Sequence, residues 1–187
     1  WGLETLLERK EEIVFRQNRN GNWVVEFGQT GFNAPRDYQE FGTGTAEVKK
    51  LFNGIEVFTK PKSTEFIEFL IQVSTNENDI ILDFFAGSGT TGHSVLQINS
   101  EDNSKRKFIL CQIDETIDPI KKKEAYDFCI ENNLQPIISS ITIERIKRAG
   151  EKIKEEIEIH NSKTGIFEEH KKQIPDIGFK VFDSVEA

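Results

Sequence analysis

Apolar positions along the chain recur with two different periods, and the change of period marks the elements. Leu3, Leu6, Leu7 and Ile13 lie near one helical face, so residues 1 to 14 read as a helix. Asn18-Arg19-Asn20-Gly21-Asn22 is a turn signal, and Trp23-Val24-Val25-Glu26-Phe27 a short strand, which predicts a hairpin over Phe15 to Phe27. Residues 28 to 45 are glycine-rich, contain Pro35, Phe32, Tyr38 and Phe41, and read as an irregular loop. Thr45 is placed to cap a short helix through Phe52 that Gly54 ends. Apolar positions 66, 67, 70, 71 and 73 predict a one-faced helix over 64 to 75, with Ser63 or Thr64 as its cap.

After the turn Asn76 to Asp79, residues 80 to 85 read as a central strand. A helix from about 90 to 98 follows, with Thr90 and Thr91 as caps, then a polar loop over 99 to 106. Phe108 to Ile113 is nearly continuously apolar, as the interior strands of a parallel sheet are. The next helix starts at Lys121 and packs through Ala125, Tyr126, Phe128, Cys129 and Ile130. Gln135 to Ile138 is a connection or short strand, and Thr142 caps a helix from 143 in which Glu144 pairs with Lys147 or Arg148. Residues 145 to 154 are the most basic stretch and read as a surface helix of mixed charge, since glutamates follow at 151, 155, 156 and 158. Residues 160 to 177 are polar and loosely ordered, and Gly178 to Phe182 alternates as a strand does. Strands alternating with helices define an α/β class with a mainly parallel sheet.

With 187 residues, one domain with appendages is the natural expectation. A net charge of −8 argues against general nucleic-acid binding by this chain, because phosphate contacts need cations. Any DNA contact must then come from a local patch or from other regions. Arg16, Arg19 and Arg36 are the candidates, and they read more simply as solvated surface. Cys111 and Cys129 lie in apolar segments without metal spacing and fit reduced, buried thiols of a cytoplasmic protein. No apolar stretch approaches the roughly 18 residues of a membrane span, and no signal peptide is seen.

The chemistry concentrates in Ile80-Ile81-Leu82-Asp83-Phe84-Phe85-Ala86-Gly87-Ser88-Gly89-Thr90-Thr91-Gly92. It reads as a strand ending in a carboxylate, a turn through glycines, and a helix start whose free N–H groups face a ligand. The spacing Gly-x-Gly-x-x-Gly serves two cofactor classes. A dinucleotide loop usually runs from the strand straight into its first glycine; here Asp83, Phe84 and Phe85 intervene, and a carboxylate would repel a pyrophosphate. The same carboxylate suits a ligand with a cation there, such as the ammonium and sulfonium of S-adenosylmethionine, and the phenylalanines offer flat apolar surface. His93 reads as an exposed helix residue and not as a base, and neither an acid–base pair nor a metal cluster is legible.

The run Asp83 to His93 resembles the cofactor motif of amino-methylating DNA methyltransferases, most closely the modification subunit of type III restriction–modification systems. Phe58-Thr59-Lys60-Pro61-Lys62-Ser63 with Phe66-Ile67 and Leu70-Ile71, Arg106 to Ile113, Ile141 to Gly150, and Gly178 to Phe182 resemble further segments of that family, in its order, over roughly residues 40 to 183. The resemblance implies a Rossmann-like S-adenosylmethionine-dependent methyltransferase fold, a partial, mainly parallel sheet flanked by helices. It implies methyl transfer to the exocyclic amino group of adenine in DNA, by a parent protein that works with a restriction subunit and a second modification subunit.

The family's catalytic Asp/Asn-Pro-Pro-aromatic motif is not in this chain, whose prolines at 35, 61, 119, 136 and 175 are all isolated. The chain is therefore expected to be a carboxy-terminal piece of a longer enzyme, inactive alone. Residues 1–45 are expected to end the target-recognition region, 46–159 to form the cofactor-binding half, and 160–187 to be a C-terminal extension. The cofactor residues implied are Lys62 and Ser63 at the methionine end, Asp83 facing the ammonium, Phe84, Phe85, Ala86, Gly87, Ser88 and Gly89 as the floor, with Thr91 beside them. Gln112 or Asp114 is implied to hold the ribose; no catalytic or metal-binding residue is assigned. An oxidoreductase domain binding NAD(P) and a non-catalytic docking module for a restriction subunit are the alternatives.

Overall fold

A computed structural model describes residues 13–17, 23–27, 41–163 and 171–183. They fall in two compact units, residues 1–40 and 41–187. In the first, β1 (Ile13–Gln17) pairs antiparallel with β2 (Trp23–Phe27), Ile13 opposite Phe27 and Gln17 opposite Trp23. The expected hairpin is present, but Ile13 and Val14 belong to its first strand and not to a helix; β-branched and aromatic neighbours suit a paired, extended backbone. The rest of the helix expected over residues 1 to 14, the turn at 18–22 and the loop at 28–40 lie outside the described residues.

The second unit runs α1 (Gly44–Leu51), α2 (Thr64–Ser74), β3 (Ile80–Asp83), α3 (Thr90–Asp102), β4 (Lys107–Leu110), α4 (Lys123–Glu131) and α5 (Ile138–Lys163). The strands β3 and β4 are parallel, with Ile80 opposite Lys107 and Asp83 opposite Leu110, and α3 makes the crossover between them. This is the α/β arrangement with a parallel pair that the alternation of elements predicts. Asp79 and Asp83 give their carbonyls to the N–H groups of Lys107 and Cys111 at 2.9 and 2.8 Å. The backbone groups of Ile80 and Leu82 then point to the opposite edge of β3, where no strand lies among the described residues.

Both strands end earlier than their apolar runs. Phe84 and Phe85 already belong to the turn that follows β3, and Cys111 to Ile113 lie beyond β4. Cys111 is consequently exposed, against expectation, whereas Cys129 is buried in the core. Helix α3 extends to Asp102 and ends on Asn103 in the left-handed region, so part of the expected polar loop is helical. Its polar residues turn inward: Asn99 holds the backbone of Arg106 at both ends of its amide (2.9 and 3.2 Å), and Arg106 pairs with Asp102 at 2.7 Å.

Helix α3 is buried on several faces, which explains its weak amphipathic pattern. Val95 and Ile98 pack with Ile71 of α2, while Leu96 packs with Ile146, Ile153 and Ile157 of α5. A separate cluster joins α1, α4 and the start of α5 through Val48, Phe52, Phe128, Cys129, Ile138 and Ile141. There Phe52 and Phe128 meet edge to face at 5.2 Å, under the Arg148 guanidinium.

Helix α5 starts at Ile138, five residues before the expected start, and continues past the boundary expected at 159/160. Ile137 makes a lone bridge with Thr116 in place of a strand. Residues 178 to 182 form no ladder either. Their alternation has another cause: Phe179 packs on the Leu96–Ile146 cluster, and Ile177 covers Gly150, where an added Cβ would lie 3.1 Å from its own. Among the described residues no helix is long and apolar enough to cross a membrane.

Candidate functional site

Asp83 closes β3 and organises the turn after it. One carboxylate oxygen accepts the N–H of Phe85 at 3.0 Å and the other the hydroxyl of Thr91 at 2.6 Å. Gly87 and Gly89 have φ of +53° and +79°, a backbone open to glycine and strained for other residues. Gly89 itself occupies the cap position of α3, so Thr90 and Thr91 are its first helical residues and not caps. The turn is fastened to the chain beyond β4 by Ala86 N–H to the Cys111 carbonyl (3.1 Å) and Gly87 N–H to Gln112 Oε1 (2.7 Å). At Gly92 an added Cβ would come within 3.0 Å of Leu110 and 3.1 Å of Ile146, so the third glycine lets α3 sit close against β4 and α5.

An open groove of about 390 Å³ lies between α2 and β3. Ile67, Leu70 and Ile71 form one wall; Asp83, Phe84, Phe85 and Thr91 line the other. Phe84 and Phe85 are 67% and 87% exposed. The arrangement offers apolar and aromatic surface with one carboxylate at its end, which suits a ligand that carries both a flat ring and a cation.

Lys62 and Ser63 approach the same turn from α2. The Lys62 carbonyl accepts the Thr90 hydroxyl at 3.4 Å, while its side chain is exposed. Ser63 holds the cap position of α2 but makes no capping bond; its hydroxyl donates to Glu47 of α1 at 3.2 Å. The same carboxylate accepts the N–H and the hydroxyl of Thr64 at 2.8 and 2.5 Å, so an acid from another helix caps α2. The contact between α1 and this segment is tight: a Cβ on Gly44 would lie 2.3 Å from the carbonyl oxygens of Pro61 and Lys62.

The structure therefore gathers Asp83, Phe84, Phe85 and Thr91 around the groove, with Ala86, Gly87, Ser88 and Gly89 forming the turn behind it. Gln112 reaches the turn from the end of β4, and its other amide end donates to the Ile113 carbonyl at 3.0 Å. Asp114 is turned toward α5, where it accepts the Ser139 hydroxyl at 2.6 Å.

Two residues behind the turn have roles that the charge pattern and cap rules did not suggest. Arg145, expected on a surface helix, is completely buried. One terminal nitrogen donates to the hydroxyls of Ser88 and Thr90, both at 2.7 Å; the other donates to Thr64 at 3.2 Å and reaches His93 Nδ1 at 3.5 Å. Its Nε has no partner among the described residues. Burial lowers its pKa to about 10, with Glu47 acting in the opposite direction, so it stays charged at neutral pH. Thr142, expected as a cap, lies one turn inside α5 and donates to the carbonyls of Gly87 (2.5 Å) and Ile138 (3.0 Å). His93 is half-buried and not exposed; burial and then the neighbouring Arg145 charge hold its pKa down at about 3, which keeps the ring neutral. The signal for Arg145 was its place on the apolar stripe Ile138, Ile141, Ile146, Ala149, Ile153, Ile157.

The candidate site thus consists of a strand ending in an acid, a turn through glycines and a helix packed back on the parallel pair. The DNA methylase family (N6_N4_Mtase) matches residues 14–123, more than half of the chain, and the chain belongs to that family. It is similar to the Mod subunit of the type III restriction–modification enzyme StyLTI of Salmonella typhimurium: 39% identity over 124 residues, 65% of this chain and 18% of that protein. The type III EcoPI Mod subunit of Escherichia phage P1 is 34% identical over 67% of this chain and 21% of its own length. The type II methyltransferase M.KpnI of Klebsiella pneumoniae is 35% identical over 78% of this chain and 34% of its own length. The chain thus spans 18% to 34% of the length of these relatives. They do not favour the oxidoreductase alternative.

Proposed function

We propose that this chain is the cofactor-binding part of a site-specific DNA methyltransferase that moves a methyl group from S-adenosylmethionine to the exocyclic amino group of adenine, within a restriction–modification system. The observation that carries the reading is Asp83, a carboxylate fixed by Phe85 N–H and Thr91 at the mouth of the glycine turn, in a chain of the DNA methylase family. A pyrophosphate beside it would be repelled; an ammonium would be held.

S-adenosylmethionine, when bound, supplies an electrophilic methyl group on a sulfonium. Asp83 orients its ammonium end, and Phe84 and Phe85 cover its adenosine. Lys62 and Ser63 serve the methionine carboxylate, and Gln112 or Asp114 the ribose hydroxyls. The turn Ala86 to Gly89 brings the backbone close to the ligand, and Thr91 keeps the Asp83 carboxylate in place. The amine is presented by a base flipped out of the duplex. The residues that align that amine lie outside this chain.

The finer fold in this reading is the Rossmann-like methyltransferase sheet, of which β3 and β4 are part, and the edge of β3 that meets no strand among the described residues supports a continuation there. DNA, a restriction subunit and a second modification subunit are the partners, in the cytoplasm. Parallel calorimetric titrations with S-adenosylmethionine, S-adenosylhomocysteine and reduced nicotinamide dinucleotide test the reading. Saturable binding of the first two alone is expected. Binding of the nicotinamide cofactor alone would overturn it.

A further inference from the structure

We infer that Arg145 is a positioning residue that locks the two sides of the cofactor site, the glycine turn and the Lys62–Thr64 segment, at a fixed separation. The role rests on the cofactor reading above. Nothing in the helix's own stability calls for a buried guanidinium at this place. A completely buried cation is costly unless well partnered, and Arg145 makes no ion pair with a carboxylate among the described residues. Glu47 supports its charge and is linked to it through Thr64, whose hydroxyl donates to Glu47 and accepts from Arg145.

The geometry explains what the planar fork accomplishes. One terminal nitrogen holds Ser88 and Thr90, which flank Gly89 at the start of α3. The other holds Thr64, the first residue of α2 and the neighbour of Ser63. These residues are 55 to 81 positions from Arg145 in the chain, and the guanidinium joins the starts of both helices, beside the direct bond from the Ser94 hydroxyl to the Thr64 carbonyl at 3.1 Å. A lysine keeps the charge but is a single point donor on a flexible stem and has no fork spanning both sides. Thr90 adds a weak second link through the Lys62 carbonyl, so the two sides move as one body.

The test combines affinity with amide hydrogen exchange on the whole 187-residue chain. In Arg145→Lys the Kd for S-adenosylhomocysteine is expected to rise at least tenfold. Exchange should quicken together at 62–66 and 86–91, while the Phe52–Phe128 core keeps its protection. Thr64→Val removes the hydroxyl that accepts from Arg145 and donates to Glu47, so it should quicken exchange locally through both losses and in the distant turn at 86–91 through the Arg145 limb. That transmission is what a residue important merely for stability would not produce. Unchanged affinity in Arg145→Lys, loosening spread evenly over the core, or a purely local effect of Thr64→Val would each overturn the positioning role. If the unsubstituted chain takes up no S-adenosylhomocysteine, the cofactor reading itself falls, and the positioning role with it.

Discussion

Thr142 and Gly87 meet across 55 residues of chain, the threonine hydroxyl donating to the glycine carbonyl at 2.5 Å. The bond ties α5 to the glycine turn at the residue with positive φ. Thr142→Val keeps the shape and removes the donor. Chemical denaturation should show a loss of about 1 kcal/mol, the usual net worth of such a bond. Hydrogen exchange of the turn amides should rise by more than that of the α1–α4 core.

Gly44→Ala should be far more costly than its size suggests. The new methyl would lie 2.3 Å from two backbone carbonyl oxygens, so α1 and the 61–62 segment must separate. A loss of about 2 kcal/mol or more is expected in denaturant titrations, as for overpacked sites. Because Lys62 and Ser63 ride on that segment, S-adenosylmethionine affinity should fall with it.

Asp83→Asn separates charge from scaffolding. The amide oxygen still accepts one of the two bonds that Asp83 now takes from Phe85 and Thr91. Melting temperature should change little, while calorimetry should show S-adenosylmethionine bound at least tenfold more weakly, about 1.4 kcal/mol. Equal affinity would mean that the carboxylate serves the turn and not the ligand.

Glu68 of α2 gives the fold a pH dependence of definite sign. Burial first, then the charges of Glu101, Glu47 and Glu65, raise its pKa from 4.5 to about 7. Between those values the folded chain keeps a proton that the unfolded chain has released, so this contribution to stability is lost as pH rises through about 7. Glu68→Gln should match the parent near pH 4.5 and melt at a higher temperature near pH 8, which thermal scans at the two pH values will check.

Local periodicity was a good guide where one face of an element carries the burial, and a poor one where tertiary contacts decide. The helix over 64 to 75 was legible because Phe66, Ile67, Leu70 and Ile71 share a face. The parallel pair was legible from the apolar runs on either side of α3. The caps were not: Thr90, Thr91 and Thr142 each have cap chemistry, yet Thr90 accepts from the buried guanidinium, Thr91 donates to the Asp83 carboxylate eight residues back, and Thr142 donates to the carbonyls of Gly87 and Ile138. Arg145 was misread because five cations within ten residues resemble a solvated face, although its position fell on the buried stripe. Gly178 to Phe182 alternates as a strand does, but Phe179 packs on the helices around Leu96 and Ile146, while Val181 is exposed. Of the site, the acid, the phenylalanines and the glycine turn could be read directly, because their spacing is local. Gln112 contacts Gly87 and Asp114 faces Ser139 for reasons of loop path that no short window contains.

The edge of β3 that meets no strand among the described residues sets a condition on how the chain is made. Ile80 and Leu82 present exposed side chains beside backbone donors and acceptors that meet no strand among the described residues. Strand edges of this kind recruit other strands, their own copies included. During synthesis the correct neighbour must therefore arrive before a second chain does, and the order in which strands emerge becomes part of the defence against aggregation.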